Sequence, residues 1–133
     1  MGFDQYHEPP NELPEETRTF ARLCASLTEE AEAIGWYEQR LALERDADAR
    51  AVMSDAVGEE YKHFAMDLEF LLRTKPKWRA TARGILFRDG DIVEHGEAAE
   101  EAASSGDSPS PSTPPQAAAD GSLGIGGLRE AQR

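Results

Sequence analysis

Apolar residues recur at spacings of three, four and seven between Phe20 and Leu41, and no other feature of the chain constrains the fold as much. This spacing places the side chains along one side of an α-helix and does not fit the alternation of a strand. The stripe consists of Phe20, Leu23, Leu27, Ile34, Tyr37 and Leu41. Pro14, followed by Glu15 and Glu16, is typical of the first turn of such a helix. We therefore expect an amphipathic helix that begins near Pro14.

A second amphipathic helix is predicted from about Asp48 to Thr74, with Asp46 or Asp48 as its cap and Pro76 just beyond its end. Its apolar side comprises Val52, Met53, Ala56, Phe64, Phe70 and Leu71. A short third helix is predicted from Trp78 to Phe87, docked through Trp78, Ile85 and Leu86. The chain contains neither an alternating strand pattern nor an internal repeat. The predicted class is all-α: a two-helix antiparallel hairpin plus a short third helix.

The part of the chain that can fold is shorter than its 133 residues. Residues 1–13 are polar and contain prolines, so we expect an extended segment. Residues 89–120 carry eight acidic residues, no Lys or Arg, and a Ser/Pro-rich second half, which predicts a disordered linker before residues 121–133. The remaining domain, residues 14–88, is too small to cover its own apolar stripes. We expect a homo-oligomer in which two hairpins dimerise into a four-helix bundle.

The charge balance restricts the partners. The chain has 14 Lys and Arg against 26 Asp and Glu, a formal charge of −12. This excess argues against nucleic acid or an anionic membrane as partner and favours cations. No apolar run approaches the ~20 residues that span a bilayer, and residues 1–10 lack the pattern of a secretory signal. One cysteine, Cys24, fits a reducing cytosol.

Charged residues interrupt both apolar stripes. Glu30 fills the gap between Leu27 and Ile34, and the Glu-x-x-His of Glu60 and His63 lies on the apolar side of the second helix, as does Asp67. A carboxylate in a bundle core is costly unless it is paired or bound to metal. One Glu and one Glu-x-x-His per chain, doubled by a two-fold axis, match the ligands of dinuclear carboxylate bundles and suit iron, manganese or zinc. The alternatives are a structural Glu–His network and a stripe edge that reaches water.

Another group of residues lies on the opposite side of the first helix. Glu29, Glu32 and Trp36 share that side at spacings of three and four. They form either a solvated acidic face with an exposed Trp or a weak surface site through which cations enter. Tyr37 lies on the apolar stripe two turns from Glu30, either as a core aromatic or as a neighbour of a metal.

Taken together, these motifs resemble the encapsulated ferritins. The similarity rests on TEEAEAIGWYEQR at residues 28–40, GEEYKH at 58–63, MDLEFLLR at 66–73, Leu86 with Phe87, and DGSLGIGGL at 120–128. It extends from His7 to Leu128 apart from the low-complexity linker. This chain departs from the family pattern at Gly35, where an acidic residue is expected, at Gly58 inside the second helix, and at Asp67, where a neutral hydroxyl residue is usual.

The resemblance implies a half-ferritin that dimerises around a di-iron centre and assembles as a ring of dimers, typically a decamer. Such proteins oxidise Fe(II) to Fe(III) with O2 for iron storage and are packaged in an encapsulin shell in the bacterial or archaeal cytoplasm. Carried over to this chain, the resemblance makes Glu30, Glu60 and His63 of both copies the ferroxidase ligands, with Tyr37 beside them in the catalytic centre. Glu29 and Glu32, with Trp36 beside them, become the surface site for incoming iron.

Residues 121–133 are predicted to dock on the encapsulin shell. Glycines separate Leu123, Ile125 and Leu128, so a few large side chains can enter pockets of a partner while the backbone lies close to its surface. From composition alone, an unstructured end is equally compatible. Two other functions also remain open from the sequence: a non-catalytic helical adaptor or scaffold, and a di-metal carboxylate protein of peroxide-type chemistry.

Overall fold

The computed structural model describes residues 6–106, and these residues form four α-helices and no strand. The helices are α1 (Glu15–Leu43), α2 (Ala47–Thr74), α3 (Pro76–Ile85) and α4 (Ile92–Ser105). The predicted all-α class and the long antiparallel hairpin of α1 and α2 are therefore confirmed. Among the residues described, no helix has both the length and the apolar character needed to cross a bilayer.

The turn between α1 and α2 is short and closed by hydrogen bonds. The Glu44 carboxylate accepts the backbone N–H groups of Arg45 and Asp46 at 2.8 and 2.9 Å, and the Asp46 bond followed by the Arg45 bond lowers the pKa of Glu44. The Asp46 side chain accepts the backbone N–H of Ala49 at 2.8 Å, which makes Asp46 the cap of α2. Arg50 donates to the carbonyl oxygen of Glu44 at 3.1 Å. This turn fixes the register in which α1 faces α2.

The core that a single copy forms is small. Within residues 6–106, the buried apolar side chains are Val57, Leu71, Leu72 and Ala99. Of the apolar side predicted for α2, Leu71 is fully buried, but Val52 is 70% exposed and Phe70 is 41% exposed. One hairpin has only one neighbouring helix to cover each wide stripe, so much of the stripe stays accessible.

Helix α3 docks on the end of the hairpin. The Trp78 ring meets Phe20 of α1 edge-on, with centroids 6.5 Å apart, and the Lys75 ammonium lies 4.9 Å from the Phe20 centroid. Arg79 forms an ion pair with Glu69 of α2 at 3.1 Å. Pro76 takes the first position of α3, where its missing N–H costs nothing. The helix ends at Ile85, two residues before the predicted end, and Phe87 adopts a positive φ of 61°.

The prediction of a disordered linker from residue 89 is wrong for residues 92–105, which form α4. Its cap is Asp91, whose side chain accepts the backbone N–H groups of Val93 and Glu94 at 2.8 and 3.0 Å. Helix α4 packs on α3 so closely that a Cβ at Gly84 would lie 2.5 Å from the Cβ of Ala99. The buried residue of α4 is Ala99, and a small side chain gives a weak apolar signal in the sequence. Residues 107–120 lie outside the described residues.

The N-terminal segment also differs from the prediction in its described part. Residues 9–13 form a turn instead of an extended chain, and the backbone N–H of Glu12 donates to the carbonyl of Pro9 at 3.0 Å. Pro10 occupies the second position of this turn, where its fixed φ is favourable. Residues 1–5 and 107–133 are outside the described part of the chain, and so are the predicted docking residues Leu123, Ile125 and Leu128.

Candidate metal centre

Three side chains of metal-ligand type converge between α1 and α2. Glu30 comes from α1, and Glu60 and His63 come from α2. One ligand atom from each lies within 4.8 Å of the other two, and this is the one such group of three among residues 6–106. The i,i+3 spacing places Glu60 and His63 one turn apart on the same side of α2. The three residues that the sequence singled out for metal are therefore neighbours in the folded chain.

The group lies at a partly open surface. His63 Nδ1 is 3.4 Å from Glu60 Oε2. The Glu60 side chain is 22% exposed and that of His63 is 45% exposed, while Glu30 is half-buried. A small ion can therefore approach from the side of the hairpin that no other helix of the described chain covers.

The pKa values of the Glu30 and Glu60 carboxyl groups shift in opposite directions, so over the pH range between them the pair holds one proton. The hydrogen bond to Glu60 is the main reason why the pKa of Glu30 is raised, and burial and the negative charge of Glu60 add to it. The same hydrogen bond is the main reason why the pKa of Glu60 is lowered, because an ionised Glu60 accepts it, and His63 also favours the charged form. A divalent cation replaces such a shared proton and removes the repulsion between the two carboxylates.

The chemistry of the donors fits a first-row divalent metal. Two carboxylates and one imidazole are ligands that iron, manganese and zinc accept. Three protein ligands leave coordination positions open on a single ion. A dinuclear centre with four carboxylates and two imidazoles requires a second copy of the hairpin.

The structure does not bring together the residues of the predicted surface site as it does those of the metal centre. Glu29 and Glu32 are both exposed, and Trp36 is 53% exposed. They do not belong to a set of three metal-type side chains within ligand distance in the described part of the chain. Tyr37 is half-buried, and its ring centroid lies 5.3 Å from the guanidinium of Arg40 on its own helix. These four residues thus stay predictions from the sequence.

One hydrogen bond between the two helices near the centre was not indicated by any pattern in the sequence. The Tyr61 hydroxyl donates to the Glu38 carboxylate at 3.2 Å and so links α2 to α1. Desolvation of the phenol, and then the Glu38 interaction, raise the pKa of Tyr61. The two residues are 23 positions apart, and only the register of the hairpin brings them together.

Comparison with known proteins matches residues 5–89 to the EncFtn-like family. A Thermotoga maritima relative named "Ferritin-like protein" is 44% identical over 91 residues, which cover 68% of this chain and 80% of the relative. A Rhodospirillum rubrum relative named "Encapsulated ferritin-like protein" is 41% identical over 125 residues, covering 92% and 86%. A crystal structure of a Nitrosomonas europaea protein superimposes with a TM-score of 0.65 at 37% identity, covering 68% of this chain and 99% of the other.

Proposed function

The chain belongs to the EncFtn-like family, and we propose that it is a ferroxidase that oxidises Fe(II) with O2 at a dinuclear centre shared between two copies. The observation that carries the proposal is the convergence of Glu30, Glu60 and His63 on the open side of the α1–α2 hairpin. The substrate is Fe(II), and the ligands are these three residues from each copy.

The ligand set of one chain is incomplete, which supports a centre shared between two copies. One copy supplies two carboxylates and one imidazole. These three ligands leave some coordination positions of one ion unfilled. A two-fold axis through the open side would bring together four carboxylates and two imidazoles, the set found in ferritin-like di-iron bundles. The same arrangement would cover apolar side chains that a single copy leaves exposed, such as Phe70. Metal binding and burial of the stripe would therefore favour the same dimer.

The residues of the centre have separate roles in the proposed reaction. Glu60, whose pKa is lowered mainly by the Glu30 hydrogen bond, provides a charged ligand, and Glu30 becomes one when it releases its proton. His63 supplies a neutral imidazole nitrogen. Two Fe(II) ions each lose one electron, and O2 takes up both electrons with two protons to give hydrogen peroxide. The carboxylates favour the products because Fe(III) carries more positive charge than Fe(II).

The proposed partner is an encapsulin shell. The name of the Rhodospirillum rubrum relative describes that protein as encapsulated, and its similarity covers 92% of this chain. In this chain the docking segment would be residues 121–133, through Leu123, Ile125 and Leu128. The oxidised iron would pass into the shell interior, within a prokaryotic cytoplasm, from a ring of dimers of which a decamer is the expected form. Glu29 and Glu32, with Trp36, would guide iron from the surface, and Tyr37 would stand beside the centre.

Aerobic oxidation of Fe(II), followed by the ferric absorbance, tests the proposed activity. We expect Glu60→Gln and His63→Ala to lose most of the activity, because each change removes two ligands from a shared centre. The matched control is Asp55→Asn, which removes a carboxylate from an exposed position of α2 outside the centre. It should keep the parent rate. Oxidation at the parent rate by His63→Ala would contradict the proposal.

A further inference from the structure

Asp67 lies beside the metal centre but outside its ligand group. It follows His63 by four residues and Glu60 by seven, so all three share one side of α2. Asp67 is half-buried. Glu30, Glu60 and His63 form the group within ligand distance, and Asp67 is not part of it. Its carboxylate therefore stands about one helical turn beyond His63.

The charge of Asp67 has no cationic partner among residues 6–106. Within that range, Asp67 takes part in no ion pair and no hydrogen bond. Other acidic groups of α2 differ: Glu69 is bound by Arg73 at 2.7 Å and Arg79 at 3.1 Å, and Glu59 pairs with Lys62. Arginine and lysine thus neutralise the neighbours of Asp67 and leave its own charge uncompensated.

Asp67 acts electrostatically on the ligand group. At a separation of about one helical turn, two unit charges near a protein surface still interact appreciably. A half-buried carboxylate without a partner is unfavourable, and a cation nearby relieves that cost. The same charge raises the local concentration of cations at the centre.

We propose that Asp67 is a positioning residue that attracts divalent cations to the centre and strengthens their binding there through its charge, without being a ligand. The inference rests on the proposed function, because it assumes that Glu30, Glu60 and His63 bind the ion. The amide of Asn has nearly the same shape as the carboxylate, so Asp67→Asn removes the charge and little else.

Binding of Zn2+ to the metal-free full chain, measured by calorimetry at two salt concentrations, tests the inference without any turnover. We expect Asp67→Asn to weaken Zn2+ binding by about three- to ten-fold at low salt and less at high salt, since ions screen the lost attraction. Asp67→Glu should restore most of the affinity. In Fe(II) oxidation, Asp67→Asn should raise KM and change kcat little. The matched control, Asp55→Asn, removes the same charge from an exposed position of α2 and should leave binding unchanged.

Other results would overturn either the inference or the proposed centre, and the two cases can be told apart. Parent affinity in Asp67→Asn at low salt would overturn the inference, and if Glu30→Gln still weakens binding, the proposed centre stands. Parent affinity in both variants would refute the centre itself. Complete loss of binding in Asp67→Asn, or a changed Co2+ absorption spectrum in that variant, would make Asp67 a ligand and also overturn the inference. A thermal unfolding scan of each variant excludes misfolding as the cause, and a misfolded Asp67→Asn would be replaced by Asp67→Ser.

Discussion

The opposite pKa shifts of Glu30 and Glu60 link cation binding at this pair to pH. The hydrogen bond from Glu30 to Glu60 raises the pKa of Glu30 and lowers that of Glu60, so the metal-free pair keeps one proton to a higher pH than an isolated glutamate would. A cation that binds both carboxylates must displace this proton. Below the raised pKa of Glu30, therefore, the proton opposes binding, and above it the opposition disappears.

We accordingly predict that Zn2+ binding weakens as the pH falls from neutral toward about 5, with more protons released per ion bound. Calorimetry in buffers of different ionisation enthalpy measures that release. Glu30→Gln should bind more weakly at every pH but release fewer protons, because its amide carries none to lose. His63 is unchanged in both proteins, so the difference between them reports on the Glu30–Glu60 pair. Equal proton release from the parent and the variant at acidic pH would contradict the shared proton.

The convergence of Glu30, Glu60 and His63 could be predicted from the sequence, whereas the interaction between Glu30 and Glu60 could not. Periodicity assigns Glu30 to the apolar side of α1, and the Glu-x-x-His spacing assigns Glu60 and His63 to one side of α2. Which residue of α1 faces Glu60 depends on the register of the hairpin. The closed turn at Glu44 and Asp46 sets that register through hydrogen bonds, of which the sequence indicated the aspartate cap but not the bonds of Glu44. Helical spacing alone therefore predicts neither the shared proton nor the Tyr61 contact.

At the scale of elements, the bounds of the long helices were predictable and α4 was not. Wide stripes of large side chains mark α1 and α2. An aspartate caps α2, which begins within one residue of the predicted position. Helix α4 buries Ala99 against Gly84, and two small residues give almost no apolar signal. The many carboxylates of this stretch suggested a solvated linker. The Asp91 cap was the signal that could have indicated a helix.

The contact between Gly84 and Ala99 makes a sharp prediction for α3 and α4. We expect Gly84→Ala to lower the free energy of unfolding by about 1–3 kcal/mol, because its Cβ would lie 2.5 Å from Ala99 Cβ and 3.3 Å from its Cα. The control is Gly96→Ala in α4, whose Cβ meets nothing within 4 Å. This change should stabilise by up to about 1 kcal/mol through helix propensity. Urea unfolding followed by circular dichroism compares the two, and stabilisation by both would disprove the close packing.

At the scale of the whole molecule, the exposed apolar side chains bear on the proposed association of two copies. Leu43 is 83% exposed, Met66 is 62% exposed, and Phe87 is fully exposed in a single copy. Isolated exposed residues are ordinary, but these accompany a candidate metal centre whose proposed ligand set needs a second copy. A second copy would both cover these apolar side chains and complete the ligand set. The physical expectation is an association that metal strengthens.

We predict larger species in the presence of Zn2+ than in the metal-free protein, because ligands drawn from two copies convert metal binding into association energy. Sedimentation velocity over a range of protein concentrations measures the effect. His63→Ala should lose the response to Zn2+ but keep any association that depends on apolar burial alone. Identical distributions with and without Zn2+ in the parent would mean that the centre is not shared.

The last prediction concerns residues 121–133 and the proposed shell. Deletion of this segment should leave the helical content and Zn2+ binding of the chain unchanged, because the centre lies in α1 and α2. The truncated protein should nevertheless fail to co-purify with a co-expressed encapsulin. Leu123→Asp combined with Ile125→Asp should have the same effect at full length, since charged side chains cannot enter apolar pockets. The control, Glu130→Gln, alters the same segment without touching an apolar anchor and should load normally.

Replacing a single apolar anchor also tests whether an oligomer docks through many copies of residues 121–133. A ring presents many copies of the segment to the shell, so the total affinity far exceeds that of one peptide. Leu123→Asp alone should therefore weaken binding of the isolated peptide strongly and loading of the whole protein only mildly. Equal losses in both measurements would indicate that each oligomer docks through a single segment. That result would contradict docking of a ring through many segments. Normal loading of the truncated protein would move the docking signal to the helical domain, and the exposed Phe87 would then be the first residue to change.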